Sequence, residues 1–246
     1  PMDVAAEVAA ETVPPAPAVA ADEALTRQLA ARIAYRYPYA TLAAVPAKLA
    51  ASALSHEAMR RTHIATARPA FLQAEGLTPA QKGTALHTFM QVAEYSLAAA
   101  DPAQEAERLT AAGFLTPRQQ QALRLDKLGA FFAGDLYARM AVSPDCRREF
   151  HFTVEVPAGQ VLSGADMPGE MVVVQGIADC VFREGDGLVL VDYKTDRVQN
   201  GEELAERYRS QLQFYKQALE PIFGLPVKEA LLYSFSLGQA VPVELP

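Results

Sequence analysis

The stretch Leu188-Val189-Leu190-Val191 contains no polar atom on any side chain and runs directly into Asp192-Tyr193-Lys194. A short apolar run of this length, half of it β-branched, reads as a buried strand. Glu184-Gly185-Asp186-Gly187 in front of it carries a hairpin-turn signal, which puts the preceding segment, ending in Gln175-Gly176-Ile177-Ala178-Asp179, on the neighbouring strand. Asp179 can then lie across from the Asp192 region. Side chains alternate faces along a strand, so Asp192 and Lys194 share one face while Tyr193 points to the other. Two carboxylates and one ammonium group are expected to converge on adjacent strands.

That convergence restricts the chemistry. Two neighbouring carboxylates repel, and burying them is costly unless a cation neutralises them; hard oxygen donors suit Mg²⁺ or Mn²⁺. Such an ion polarises a phosphoryl oxygen and acidifies a bound water, so the layout is that of a metal-dependent phosphodiesterase site, with Lys194 beside the attacking water or the developing charge. An Asp-x-Lys triplet alone equally describes a surface salt bridge.

Two helical segments add candidates. Thr78-Pro79-Ala80-Gln81 announces a helix, with Thr78 as N-cap, Pro79 at the first helical position and Gln81 at the third. Gly83 and His87 are four apart on it, so a close backbone approach at Gly83 can set the imidazole against the sheet. His87 is then either a third metal ligand or a hydrogen-bonded interface histidine. Further on, Gln211 and Tyr215 are i, i+4 neighbours in a helix expected from about 202 to 219, with Arg207 and Tyr208 one turn earlier. That face can grip a phosphate and stack a base. Alternatively, Leu204, Tyr208, Leu212, Tyr215 and Leu219 form the core stripe of a cover helix.

Taken as an ordered set, these residues resemble the RecB-like branch of the PD-(D/E)XK nucleases, and within it the nuclease domain of the AddA family. The resemblance is carried by Gly83-Thr84-Ala85-Leu86-His87, Arg148-Glu149-Phe150, Gln175 through Asp179, Val191-Asp192-Tyr193-Lys194-Thr195-Asp196 and Gln211-Leu212-Gln213-Phe214-Tyr215. Tyr35-Arg36-Tyr37-Pro38, Val45-Pro46-Ala47-Lys48 and Arg68-Pro69-Ala70-Phe71 look like the segment that precedes this domain in the family, so the similarity covers roughly residues 25 to 240.

The resemblance implies a metal-dependent DNA exonuclease domain of a helicase-nuclease that processes double-strand breaks for homologous recombination. In that setting it hydrolyses single-stranded ends delivered by helicase domains of the same parent chain, beside an AddB-type partner subunit. It also implies His87, Asp179 and Asp192 as ligands of Mg²⁺, with Mn²⁺ as an alternative, and the Tyr193 backbone carbonyl as a fourth ligand. Lys194 is the implied catalytic lysine, and Gln211 and Tyr215 match the family's following motif. Glu149 falls where these nucleases often carry a glutamate, although Arg148 beside it can simply pair with a neighbouring acid, and its role stays open. The competing expectation is a nonhydrolytic DNA-binding or subunit-docking module that keeps the fold. Only Cys146 and Cys180 are present, so the four-cysteine iron-sulfur staple of AddB is absent, which favours the AddA type over the AddB type. No Gly-x-x-x-x-Gly-Lys-Ser/Thr phosphate loop occurs, so a helicase motor is expected elsewhere in a longer protein.

Bulk properties agree with one enzyme core. Half of the 246 residues are hydrophobic, enough for one substantial core. Two cysteines at unrelated spacing argue against a disulfide framework and suit a reducing cytosol, and no apolar stretch approaches a membrane span, so a cytoplasmic protein is expected. The net charge of −7 looks unsuited to DNA until residues 1 to 24 are set aside, which carry five acids and no base. A local basic groove from Arg147, Arg148, Lys194, Arg197, Arg207, Arg209 and Lys216 is then the expected contact for nucleic acid.

The expected organisation is a flexible Ala/Val/Pro/Glu-rich linker over 1–21, a helical or loop connection over 22–77 and a nuclease domain over 78–246. Leu25, Leu29 and Ile33 repeat at helical spacing from Asp22 to about Tyr35. Helices are expected over 79–99, 102–112 and 117–140, each started by a cap residue before proline. Period-two patterning then gives strands near 147–156, 171–183 and 188–194, the 202–219 helix and a last strand near 227–236. The fold class is α/β, a restriction-endonuclease-like mixed sheet flanked by helices, with a helical N-terminal half.

Overall fold

The computed structural model describes residues 23–35, 48–51, 77–161 and 169–246. Residues 1–45 form one compact unit and 46–246 another. In the first, helix α1 (Glu23–Ala34) matches the expected periodicity, and Leu25, Leu29 and Ile33 are all exposed on it. The linker over 1–21 and the segments Arg36-Tyr37-Pro38 and Arg68-Pro69-Ala70-Phe71 lie outside the described residues.

The second unit is a mixed sheet between two helical layers. Its strands are β1 (Lys48–Ala50), β2 (Cys146–Pro157), β3 (Met171–Glu184), β4 (Gly187–Lys194), β5 (Val227–Ser234) and β6 (Gln239–Pro242). Hydrogen-bonded neighbours run β1-β3-β4-β5-β6, and β2 pairs with β3. The β2-β3-β4 segment is the antiparallel meander read from the sequence. Glu184 faces Gly187 across a two-residue loop whose first residue, Gly185, has φ 64, the position a II′ turn reserves for glycine. This turn sets the register that puts Cys180 opposite Val191 and hence Asp179 opposite Asp192. The parallel pair β4–β5 needs a crossover, supplied by the long helix Gly201–Phe223. Every residue of β4 except Lys194 is buried, as expected for a strand covered on both faces.

The first helical layer comprises α2 (Pro79–Val92), α3 (Tyr95–Ala100), α4 (Pro102–Ala111), α5 (Pro117–Ala122), α6 (Leu125–Phe132) and α7 (Asp135–Ala141). Phe89, Leu109, Leu128 and Phe131 form its core with Cys180, Phe182, Val189, Val191 and Tyr193 of the sheet. The caps behave as the sequence implies. Thr78 and Gln81 form a reciprocal capping box, as do Thr116 and Gln119, and Asp101 accepts from the amides of Ala103 and Gln104. A short α8 (Ala158–Val161) follows β2, and the crossover is α9 (Gly201–Phe223). Leu204, Leu212 and Leu219 on α9 are fully buried.

Several expectations need correction. The 79–99 helix is broken after Val92. There the Arg148 guanidinium takes the carbonyls of Met90 and Ala93 at 3.3 and 2.6 Å, and the buried Glu105 carboxylate takes the Glu94 amide at 2.7 Å. Both loose helix ends are satisfied by partners distant in sequence, so continuing the helix offers no advantage. The 117–140 helix is three helices, with breaks at Leu123–Arg124 and Ala133–Gly134 that let Phe131 and Phe132 pack on Tyr95 and Tyr137. The last strand ends at Ser234, where the chain turns through Gly238 (φ 75) into β6. Lys48–Ala50, within the stretch expected as a connection, pairs in parallel with β3.

Candidate active site

β4 delivers Asp192 and Lys194 to the same side, as strand alternation requires. The Lys194 ammonium lies 2.6 Å from Asp192 Oδ2, an ion pair whose angle falls outside hydrogen-bond geometry, and no other donor among the described residues reaches that buried oxygen. Lys194 Nζ also donates to Gln211 Oε1 at 3.3 Å and sits 3.8 Å from the centre of the Tyr208 ring. Gln211 Nε2 in turn donates to the Tyr215 hydroxyl at 2.9 Å. One face of α9 therefore orients the lysine through an amide held by a tyrosine, and contributes a cation–π contact.

Asp179 joins the two sides of the site. Its Oδ2 accepts the Tyr193 backbone N–H at 2.7 Å and its Oδ1 lies 3.4 Å from His87 Nδ1. α2 approaches closely at Gly83, where a Cβ would stand 3.2 Å from Thr195 Oγ1 just beyond β4. That proximity brings His87, one turn later, to the sheet. The Tyr193 ring points into the helical layer, its hydroxyl 3.3 Å from that of Tyr95, so only its backbone addresses the site.

Glu149 completes the cluster. Ligand atoms of His87, Glu149 and Asp179 all lie within 4.8 Å of one another. The β2 backbone at Glu149 adopts φ 49, a left-handed conformation rare outside glycine. Its consequence is visible on either side. Arg148 reaches α2 and stacks 4.3 Å over Tyr95, whereas Phe150 and Phe152 pack on Phe223 and Tyr215 of α9. Residues two apart in a regular strand share a face; here the strand rolls over at Glu149, and its side chain is carried to Asp179.

The electrostatics record crowded acids. Burial, then the Asp179 charge, raises the Glu149 carboxyl above its usual range. Burial likewise raises Asp192, with Asp179 adding to it and the Lys194 charge opposing. For His87 burial works against protonation, but the bond to Asp179 and the charges of Asp179 and Asp192 outweigh it. Burial also disfavours the charged Lys194, yet Asp192, Tyr208 and Asp179 hold its pKa above normal. The Tyr215 hydroxyl is pushed up to about 12 by burial and by Asp192. Three carboxylates thus face one lysine and one histidine. Their hard oxygen donors with a single imidazole suit a divalent cation such as Mg²⁺ or Mn²⁺.

This arrangement has counterparts. A family model described as the PD-(D/E)XK nuclease superfamily matches residues 47–241. The chain belongs to that superfamily. Among curated relatives, an ATP-dependent helicase/nuclease subunit of the AddA type from Desulforudis audaxviator is 40% identical over 244 residues, covering 89% of this chain and 19% of its own length. Proteins of the same name from Desulforamulus reducens and Acetivibrio thermocellus are 33% and 36% identical, over 90% and 86% of this chain. The chain spans about a fifth of the length of these relatives. The superfamily's mixed sheet flanked by helices is the architecture found here.

Of the residues singled out from the sequence of this nuclease-superfamily member, His87, Asp179, Asp192, Lys194, Gln211 and Tyr215 come together, and Tyr193 contributes only backbone. Glu149 is the residue that sequence reasoning ranks too low, because strand alternation gives no sign of a left-handed residue. The expected Arg148–acid pair is not formed: the guanidinium caps α2 through backbone carbonyls. The expected basic groove is largely engaged elsewhere. Arg147 pairs with Asp145, Arg207 with Asp196 and Glu203, and Arg209 with Glu206.

Proposed function

We propose that this site hydrolyses phosphodiester bonds of single-stranded DNA ends as the exonuclease domain of a helicase-nuclease. The observation that carries it is Asp192: a carboxylate 3% exposed, one oxygen reached only by Lys194, beside the His87–Glu149–Asp179 cluster. So many buried acids against so few cations is a costly arrangement for a purely structural core. It is resolved if His87, Asp179, Asp192 and the Tyr193 carbonyl hold a divalent cation, Mg²⁺ or Mn²⁺, with Glu149 as an additional ligand. The chemistry such a cation supplies when bound is neutralisation of phosphoryl charge and acidification of a water.

The remaining work falls to the chain's own residues. Lys194, fixed by Gln211 and the Tyr208 ring, presents N–H donors where negative charge develops on the phosphoryl group. Gln211, locked by Tyr215, keeps that ammonium from wandering. His87 and Asp179 fix each other's orientation, as outer partners of ligands do. The names of the relatives support the wider reading: processing of double-strand breaks for homologous recombination in a cytoplasmic setting, with helicase domains in the same parent chain and with an AddB-type partner subunit. No described helix is long and apolar enough to cross a membrane.

The test is degradation of end-labelled single-stranded DNA with Mg²⁺ or Mn²⁺, against Asp192→Ala and an EDTA control. Metal-dependent cutting lost in the variant is the expected result. A folded protein that binds DNA at low salt but cuts with neither metal would instead support the docking-module reading.

A further inference from the structure

A second feature adjoins the cluster. On the edge of β3 away from β2, pairing with β1 ends at Ala50–Gln175 and pairing with β4 begins at Cys180–Val191. Residues 176–179 therefore have no strand partner on that edge among the described residues. Backbone N–H and C=O groups alternate between the two edges of a strand, so some of this stretch faces an open notch. The notch encloses about 470 Å³, within the range of small-ligand sites, and is lined by Ala50, His151, Thr153, Gln175, Ile177 and Tyr215.

Its position and chemistry are both informative. His151 is two residues beyond Glu149 on β2, and Ile177 two residues before Asp179 on β3, so the notch begins where the acid cluster ends. Tyr215 belongs to both, lining the notch while holding Gln211. No Asp, Glu, Lys or Arg is among the described lining residues, and Ile177 is 41% exposed beside neutral donors. A neutral lining with an apolar platform, an imidazole and amide or hydroxyl groups suits a nucleoside, not a phosphate.

We propose that the notch is a nucleoside subsite, holding the base and sugar one step along the strand from the phosphate at the acid cluster. The proposal rests on the single-stranded DNA reading above. Stacking on Ile177 and His151 with hydrogen bonds from Thr153, Gln175 and the open β3 edge makes the contact tolerant of base identity. It offers a way to hold a strand in a site whose nearby arginines are already paired.

The experiment is fluorescence anisotropy of a labelled ten-nucleotide thymidine strand at low salt in EDTA, using the 246-residue chain. Ile177→Asp is expected to weaken binding about tenfold and His151→Ala several-fold, on the scale of one lost stacking contact. Val142→Asp, the same charge change at a residue 82% exposed on the C-cap of α7, is expected to bind like the parent. Equal affinity for the parent, Ile177→Asp and His151→Ala overturns the subsite, as does equal weakening by Val142→Asp, or no binding by the parent. If Ile177→Asp melts early, His151→Ala decides. Absence of cutting alongside notch-dependent binding would sink the hydrolytic reading and leave the subsite standing.

Discussion

Glu149 combines a backbone that glycine prefers with a side chain that the cation cluster needs, and the two can be separated by substitution. Replacement by glycine or by alanine removes the same carboxylate. Only alanine keeps a Cβ at φ 49. The left-handed conformation disfavours a residue with a Cβ by roughly 1–2 kcal/mol. Glycine forfeits about 0.5–1 kcal/mol of that advantage through its freer unfolded chain. Glu149→Gly is therefore expected to be more stable than Glu149→Ala by about 0.5–1 kcal/mol, or about 2 °C in Tm for a domain of this size. In EDTA, Glu149→Gly should melt no lower than the parent, because burial and Asp179 both disfavour the ionised Glu149. Cutting should fall in both variants alike. Thermal melts with and without Mg²⁺, run beside the oligonucleotide assay, check this. If alanine is as stable as glycine, the left-handed residue stores no strain; if both variants cut like the parent, Glu149 lies outside the machinery.

Other outcomes follow from single contacts. Lys194→Ala should reduce cutting at least about a hundredfold, the scale of losing a charge-stabilising donor, with the loss appearing in kcat. Arg148→Ala removes two carbonyl contacts and the stack on Tyr95, and should lower stability by about 2–4 kcal/mol, with Arg148→Lys recovering part in the same denaturation series. Gly176→Ala would put a Cβ 2.2 Å from the Phe152 ring, a clash costing about 1–3 kcal/mol that Phe152→Leu should relieve in the double variant. Arg139 and Lys228 hold the Glu184 carboxyl down to about 2. Its contribution to stability is thus complete above the ordinary carboxylate pKa and disappears as pH falls from there toward about 2. Urea melts at pH 6 and pH 3 should accordingly converge for the parent and Glu184→Gln at the lower pH; a gap that persists would show that the ion pairs contribute nothing.

The amino-acid sequence by itself determined the elements whose information is local. Thr78-Pro79, Asp101-Pro102 and Thr116-Pro117 start helices because their caps and prolines act within four residues. Gly185 sets the β3–β4 turn, and through it the face-to-face placement of Asp179 and Asp192, because strand alternation propagates register without outside help. His87, Lys194, Gln211 and Tyr215 were legible because helical and strand periods put each on a definite face. Only the tertiary structure decided where the helices break, since Arg148 and Glu105 satisfy the free groups after Val92 from elements far along the chain. It alone also decided the part played by Glu149. A residue forced through left-handed φ reverses the faces of its strand, and the packing of Arg148 on one layer and Phe150 on the other, which holds it there, is not written in any local pattern.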